Sequence, residues 1–148
     1  MRVIVQRVKY AKCHIDNQIS GEINQGFMCL VGIKDDDTKA DIEKVAKKLI
    51  GLRIFDDEDG KMNLDLKSVN GKILSISQFT LYADCKKGNR PSFIMAKKPR
   101  EASELYDYFN ELLRNANIEV ETGIFGADMK IELVNDGPVT IILDTKEL

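Results

Sequence analysis

The chain has 148 residues, 43% hydrophobic and 31% charged, a globular composition long enough to bury roughly 68–70% of the unfolded surface. Its 22 basic and 24 acidic residues leave a net charge of -2, which excludes a globally basic nucleic-acid binder but not a local basic patch. The longest uncharged stretches, Ile23 to Ile33 and Ile73 to Ala83, are eleven residues each, and a membrane-crossing helix needs about 20.

Met1 to Arg7 carries charge at its second and seventh positions and no apolar signal core, so a cytoplasmic location is expected. No repeat, low-complexity tract or linker divides residues 1–148, so one domain is expected. Val3 and Val5, then Val8 and Tyr10 out of phase, predict a strand. Cys13, Ile15 and Ile19 flank Asp16-Asn17, which suits a hairpin turn. Phe27 to Ile33 is a continuous apolar run, the pattern of a central strand covered on both faces.

Thr38, with Asp41 three residues on, is placed to cap a helix whose stripe is Ile42, Val45, Ala46, Leu49 and Leu52. Asp59-Gly60 marks a turn before Met62 and Leu64. Ile73 to Leu81 reads as a further strand. Pro99 suits the first position of a second helix with Ala102, Leu105, Phe109, Leu112 and Leu113 inward. Ile118 to Thr122, Met129 to Val134 and Val139 to Leu143 complete the strands. Runs of strands separated by two main helices predict an α+β fold over an alternating parallel one.

Several common chemistries find no footing. The chain has no phosphate loop ending in Gly-Lys-Ser/Thr, no paired-glycine dinucleotide fingerprint and a single histidine, His14, which rules out an HExxH metal site. Aligning Gly60 with the sixth position of a calcium loop puts Phe55 first and Leu66 twelfth, so the acidic run Asp56 to Asp59 reads as a solvated turn. Cys13, Cys29 and Cys85 lack C-x-x-C spacing, which argues against a disulfide framework or structural zinc. All three are expected to be reduced, small buried hydrophobes.

Three stretches stand out. Ser77-Gln78-Phe79-Thr80-Leu81 sets three hydrogen-bonding side chains between apolar flanks that should be buried, where such groups need partners. Asn135-Asp136-Gly137-Pro138-Val139-Thr140 reads as a turn joining two strands. From Asp84 to Arg100 the six basic residues Lys86, Lys87, Arg90, Lys97, Lys98 and Arg100 meet one acidic residue, Asp84, a segment either merely solvated or suited to phosphate.

With Gln6-Arg7, Gly88-Asn89-Arg90-Pro91-Ser92-Phe93, Thr122-Gly123 and Ala127-Asp128-Met129, these stretches make the sequence resemble the D-aminoacyl-tRNA deacylases, the D-tyrosyl-tRNA deacylase family. The resemblance extends over nearly the whole chain. It implies an antiparallel-rich, barrel-like sheet core, a homodimer with active sites at the subunit interface, a cis Gly137-Pro138 peptide inserted into the partner's pocket to reject L-amino acids, and chiral proofreading in translation. It further implies hydrolysis of the ester of D-aminoacyl-tRNA, or of glycyl-tRNA, with the aminoacylated 3' end of tRNA as partner and no metal or cofactor. Ser77, Gln78, Phe79 and Thr80 would be the catalytic stretch and Arg7 a supporting residue. Thr80 as a nucleophile would need an adjacent base, and none is evident in the sequence. An editing module like that of archaeal threonyl-tRNA synthetases, and a non-catalytic nucleic-acid binder using the Lys86 to Arg100 segment, are the competing readings.

Overall fold

The computed structural model describes residues 1–148. The opening alternation forms one long strand, β1 (Arg2–Ile15), which turns through Asp16 and Asn17 into β2 (Gln18–Ile23). Both turn residues have positive φ, 50° and 62°, the conformation a two-residue hairpin of this hand requires. The phase change read between Val5 and Val8 is a change of face, Val3 and Val5 belonging to the larger core and Val8 to the smaller one. Against the last strand, Val8 pairs with residue 135 and Tyr10 with residue 134, so Lys9 is an extra residue in β1. That bulge makes Ala11 and Cys13 share a buried face with Val8, and Tyr10, expected inside, is only half-buried.

The apolar run forms β3 (Gly26–Gly32), set between β1 and β6 (Lys72–Ser77), antiparallel to the first and parallel to the second. It is the central strand expected. Helix α1 (Lys39–Ile50) starts where Thr38 predicted, with the Asp41 carboxylate accepting the Thr38 N–H and hydroxyl, each at 2.8 Å. A short hairpin, β4 (Phe55–Asp56) and β5 (Met62–Leu64), contains the acidic turn. Helix α2 (Pro99–Asn115) begins at Pro99, and β7 (Val120–Thr122) lies parallel to β6. The buried face of α2 is Ala102, Tyr106, Phe109, Asn110 and Leu113, while Leu105 and Leu112 are only partly covered.

The two strands expected near the C-terminus are one, β8 (Lys130–Asp144), antiparallel to β1 and pairing with no other strand. The predicted turn at Asn135 to Thr140 is instead a bulge. Gln6 pairs with Thr140 and Val8 with Asn135, so Arg7 alone faces Asp136 to Val139.

Two apolar layers result. The sheet packs on both helices through Val3, Val5, Cys29, Ile42, Leu49, Ile73, Phe109 and Leu113. Its other face curls over Val8, Ala11, Met28, Leu74 and Ile76. The architecture is the expected α+β one, two helices on a mixed sheet nearly closed as a barrel. No helix is long and apolar enough to cross a membrane.

Candidate functional site

β6 stops at Ser77. Phe79 to Tyr82 then form a 3-10 turn, where the sequence predicts continued strand. The turn wins because its ends are held elsewhere. The Gln78 N–H donates to the Val31 carbonyl at 2.8 Å, Arg2 donates to the Leu81 carbonyl at 2.9 Å, and the Arg2 guanidinium lies 5.2 Å over the Tyr82 ring. Asp144, 2.9 Å from the Arg2 Nε, keeps that arginine in place. The expectation of buried polarity is corrected as well. Ser77 and Gln78 are half-buried, Phe79 and Thr80 are exposed, and the Gln78 amide donates to the Thr80 hydroxyl.

Beside this turn lies a cavity of about 690 Å³ with mostly apolar walls. It sits at the carboxyl ends of β3 and β6, between the start of α2 and the loop before β8, with Ser77, Gln78, Phe79, Phe93, Tyr106 and Phe125 in its wall. An apolar cleft with a few convergent polar groups is the usual form of a small-ligand site. Phe93 meets Phe79 edge to face with centroids 5.0 Å apart. Met129, from the Ala127-Asp128-Met129 stretch, also lines it.

The basic segment closes one side of this cleft. Asp84 and Ser92 exchange backbone hydrogen bonds of 2.7 and 2.9 Å, which ties Cys85 to Pro91 into a loop. Lys86, Lys87 and Arg90 project from it, exposed. Lys97 departs from the expectation of a free basic residue. Its side chain is 9% exposed, donates to the Asp35 carbonyl and lies 3.9 Å from Glu101. Lys98 is exposed at the start of α2, and Arg100 is exposed 3.5 Å from Glu104. Cys85 is exposed on the same loop, unlike buried Cys13 and Cys29, so the expectation of three buried thiols fails there.

Gly137 and Pro138 are exposed on the bulge of β8 and do not line the cavity. Their peptide bond is cis, and Gly137 has a φ of +134°, a conformation that favours glycine. Arg7 holds the bulge from beneath. It is 6% exposed and donates from Nε to the Asp136 carbonyl at 2.9 Å and from a terminal nitrogen to the Ile54 carbonyl at 2.8 Å. The Asp56 carboxylate is 3.3 Å away, so one member of the acidic run has a specific partner. Asn135 braces the other flank, accepting the Val139 N–H at 2.9 Å and donating to the Thr140 hydroxyl at 2.9 Å.

The predicted residues therefore form two groups. Ser77, Gln78 and Phe79, with Lys97 and Lys98 of the basic segment, line the cavity, whereas Thr80, Lys86, Lys87, Arg90 and Arg100 do not, and Arg7, Gly137 and Pro138 meet at the bulge. His14 lies apart from both, half-buried and 3.3 Å from Glu132 on the outer strands. Tyr106 and Phe125 in the cavity wall are additions that sequence reasoning missed. Tyr106 was visible in the spacing Ala102, Tyr106, Phe109, Leu113, but Phe125 sits in a loop with no periodic signal.

A family model described as D-Tyr-tRNA(Tyr) deacylase matches residues 4–144. A solved structure named c-Myc DNA Unwinding Element Binding Protein is 36% identical with a TM-score of 0.91, over 97% of this chain and 98% of its own. Another, from a structural analysis of a probable eukaryotic D-amino acid tRNA deacylase, is 18% identical with a TM-score of 0.82, over 96% of this chain and 97% of its own. At that identity the second likeness shows a shared fold.

Proposed function

The chain belongs to the D-Tyr-tRNA(Tyr) deacylase family, hydrolases of D-aminoacyl-tRNA, and on that premise we propose that it acts as a homodimer in which each cavity is completed by the Gly137-Pro138 bulge of the other subunit. The observation that carries this is the separation of the two motifs. Ser77, Gln78 and Phe79 border a cavity that their own chain's Gly137 and Pro138 do not line, and those two residues are exposed on a braced projection.

The terminal adenosine of tRNA and its aminoacyl group enter the cavity, where Phe79, Phe93 and Phe125 offer aromatic surface. The ester is already activated, so the site needs a placed water and donors for the charge that develops on the carbonyl oxygen. The Ser77 to Thr80 stretch supplies them, and one preorganised donor is worth roughly 2.7–4 kcal/mol, or about 10²–10³ in rate. The 2′-hydroxyl of the terminal adenosine assists the water, with Thr80 shaping the site and no metal or cofactor taking part. Water adds at the carbonyl carbon, the ester C–O bond breaks, and free amino acid and tRNA leave.

Rejecting an L-amino acid by about 10⁴ takes roughly 5.5 kcal/mol, more than the 1–3 kcal/mol or so that an added methylene gives in a soft apolar pocket. A stiff wall supplies it. Proline fixes its own φ, glycine allows close approach, and Arg7 and Asn135 hold the two flanks of the bulge. Glycyl-tRNA has no side chain to meet the wall and is hydrolysed too.

Incubating D-Tyr-tRNA, L-Tyr-tRNA and Gly-tRNA with the protein, with and without a chelator, tests the reading. Loss of the D and glycyl esters alone, insensitive to chelation, is expected. Equal loss of D and L esters would remove the wall, and chelator-sensitive loss would require a metal. The exposed Lys86, Lys87 and Arg90 favour a second reading, nucleic-acid binding without chemistry, which predicts salt-dependent binding and no ester loss.

A further inference from the structure

Between β6 and α2 an otherwise apolar layer holds a knot of polar groups. Tyr106 is 4% exposed, and its hydroxyl donates to the Ser75 carbonyl at 2.7 Å. Ser75 Oγ and Asn110 Oδ1 are buried with no hydrogen-bond partner. Along β6, Ile73 belongs to the helix-side core and Leu74 and Ile76 to the other, so strand alternation turns Ser75 toward α2. Asn110 is one helical turn beyond Tyr106. Burial raises the Tyr106 hydroxyl above its ordinary range.

Unpaired buried polar atoms cost stability, and apolar residues of similar volume would avoid the cost. The place of the knot suggests what it does instead. β7 pairs with β6 only at Ile73, Leu74 and Ser75, whereas β3 pairs with it as far as Ser77. Past Ser75, β6 is held along one edge. The Tyr106 hydroxyl bonds to β6 at the final rung shared with β7.

We propose that Tyr106 is a positioning residue of the deacylation site, clamping β6 at Ser75 so that Ser77 to Thr80 leave the strand in a fixed direction beside the cavity. This rests on the ester-hydrolysis reading of that stretch. Tyr106 acts through the strand end, and its ring supports the cavity wall against Phe125, centroids 6.1 Å apart.

Tyr106→Phe keeps the ring and removes the hydroxyl. The expected result on D-Tyr-tRNA is a fall in kcat of about tenfold with KM changed by less than about twofold. Amide hydrogen exchange across Gln78 to Tyr82 should quicken by a similar factor. Ser75→Ala keeps the carbonyl and should leave both measurements at the wild-type value. The clamp requires both changes in Tyr106→Phe. Unchanged exchange, unchanged kcat, or equal losses in Ser75→Ala overturns it. Exchange needs no substrate, so it judges the clamp even if the wild-type protein hydrolyses no D-Tyr-tRNA, a result that would instead overturn the functional reading.

Discussion

Arg7 Nε donates to the Asp136 carbonyl at 2.9 Å, so the one residue of β1 opposite the bulge also holds it. The same guanidinium donates to the Ile54 carbonyl at 2.8 Å, joining the bulge to the start of the β4-β5 hairpin. Arg7→Met fills similar space but deprives both carbonyls of their donor, and it should destabilise the chain by about 2–4 kcal/mol in urea titration. Arg7→Lys should recover only part of this, because one ammonium lacks the planar fork that reaches two acceptors.

Gly137→Ala tests the bulge more locally. An added Cβ would lie 2.7 Å from Val139 Cγ2 and 3.2 Å from an Arg7 terminal nitrogen, at a φ of +134°. The strain should cost about 1–3 kcal/mol in a denaturant titration. If the bulge reads chirality, the ratio of D-Tyr-tRNA to L-Tyr-tRNA hydrolysis should fall by at least about tenfold. A variant with full discrimination would remove Gly137 from that role.

The basic residues should separate by what they touch. Replacing Lys86, Lys87 and Arg90 with alanine should weaken tRNA binding and flatten its salt dependence by about 0.7 in log–log slope for each phosphate no longer neutralised. Lys97→Ala removes an ammonium engaged with the Asp35 carbonyl, so it should lower thermal stability and leave the slope near wild type. Binding titrations at several salt concentrations distinguish the two classes.

Asp41 links helix capping to pH. The Thr38 N–H, and after it the Thr38 hydroxyl, hold the Asp41 carboxyl below its ordinary range. A carboxyl with a lower pKa folded than unfolded stabilises fully above its unfolded value and loses that stabilisation as pH falls through its folded value. Asp41→Asn should therefore cost about 1 kcal/mol at pH 7, with the difference from wild type shrinking below about pH 4. Urea titrations at pH 7, 5 and 3 follow it.

Thiol labelling should distinguish the cysteines. Cys85 is exposed, and Cys13 and Cys29 are buried, with burial pushing the Cys29 thiol up. Native protein treated with iodoacetamide should gain one adduct at Cys85 by mass spectrometry, and unfolded protein three. Fast labelling of Cys29 in native protein would contradict its burial.

What could be read from the sequence was governed by short-range chemistry. The Asp16-Asn17 turn, the Thr38 and Asp41 start of α1 and Pro99 at the head of α2 each depend on residues within a few positions. The end of β6 does not. Phe79 and Leu81 continue an apolar run, and only the distant Val31 and Arg2, the latter nearly eighty positions earlier, show why the chain turns there. The bulge is similar, since Asn135 to Thr140 reads as a turn until β1 supplies the register. For the site, the polar stretch and the basic loop were legible. The inward turn of Lys97 and the place of Tyr106 in the cavity wall depend on packing between distant segments.

β8 also bears on solubility. Eleven of its fifteen residues pair with β1 along one edge and none pairs with a strand along the other, and a long regular edge invites another chain to add to it. The protrusion at Asp136 to Val139 divides that edge, and Pro138 contributes no N–H to it. An invading strand would lose its register partway along. The same irregularity that displays Gly137 and Pro138 thus guards the protein against strand-by-strand aggregation.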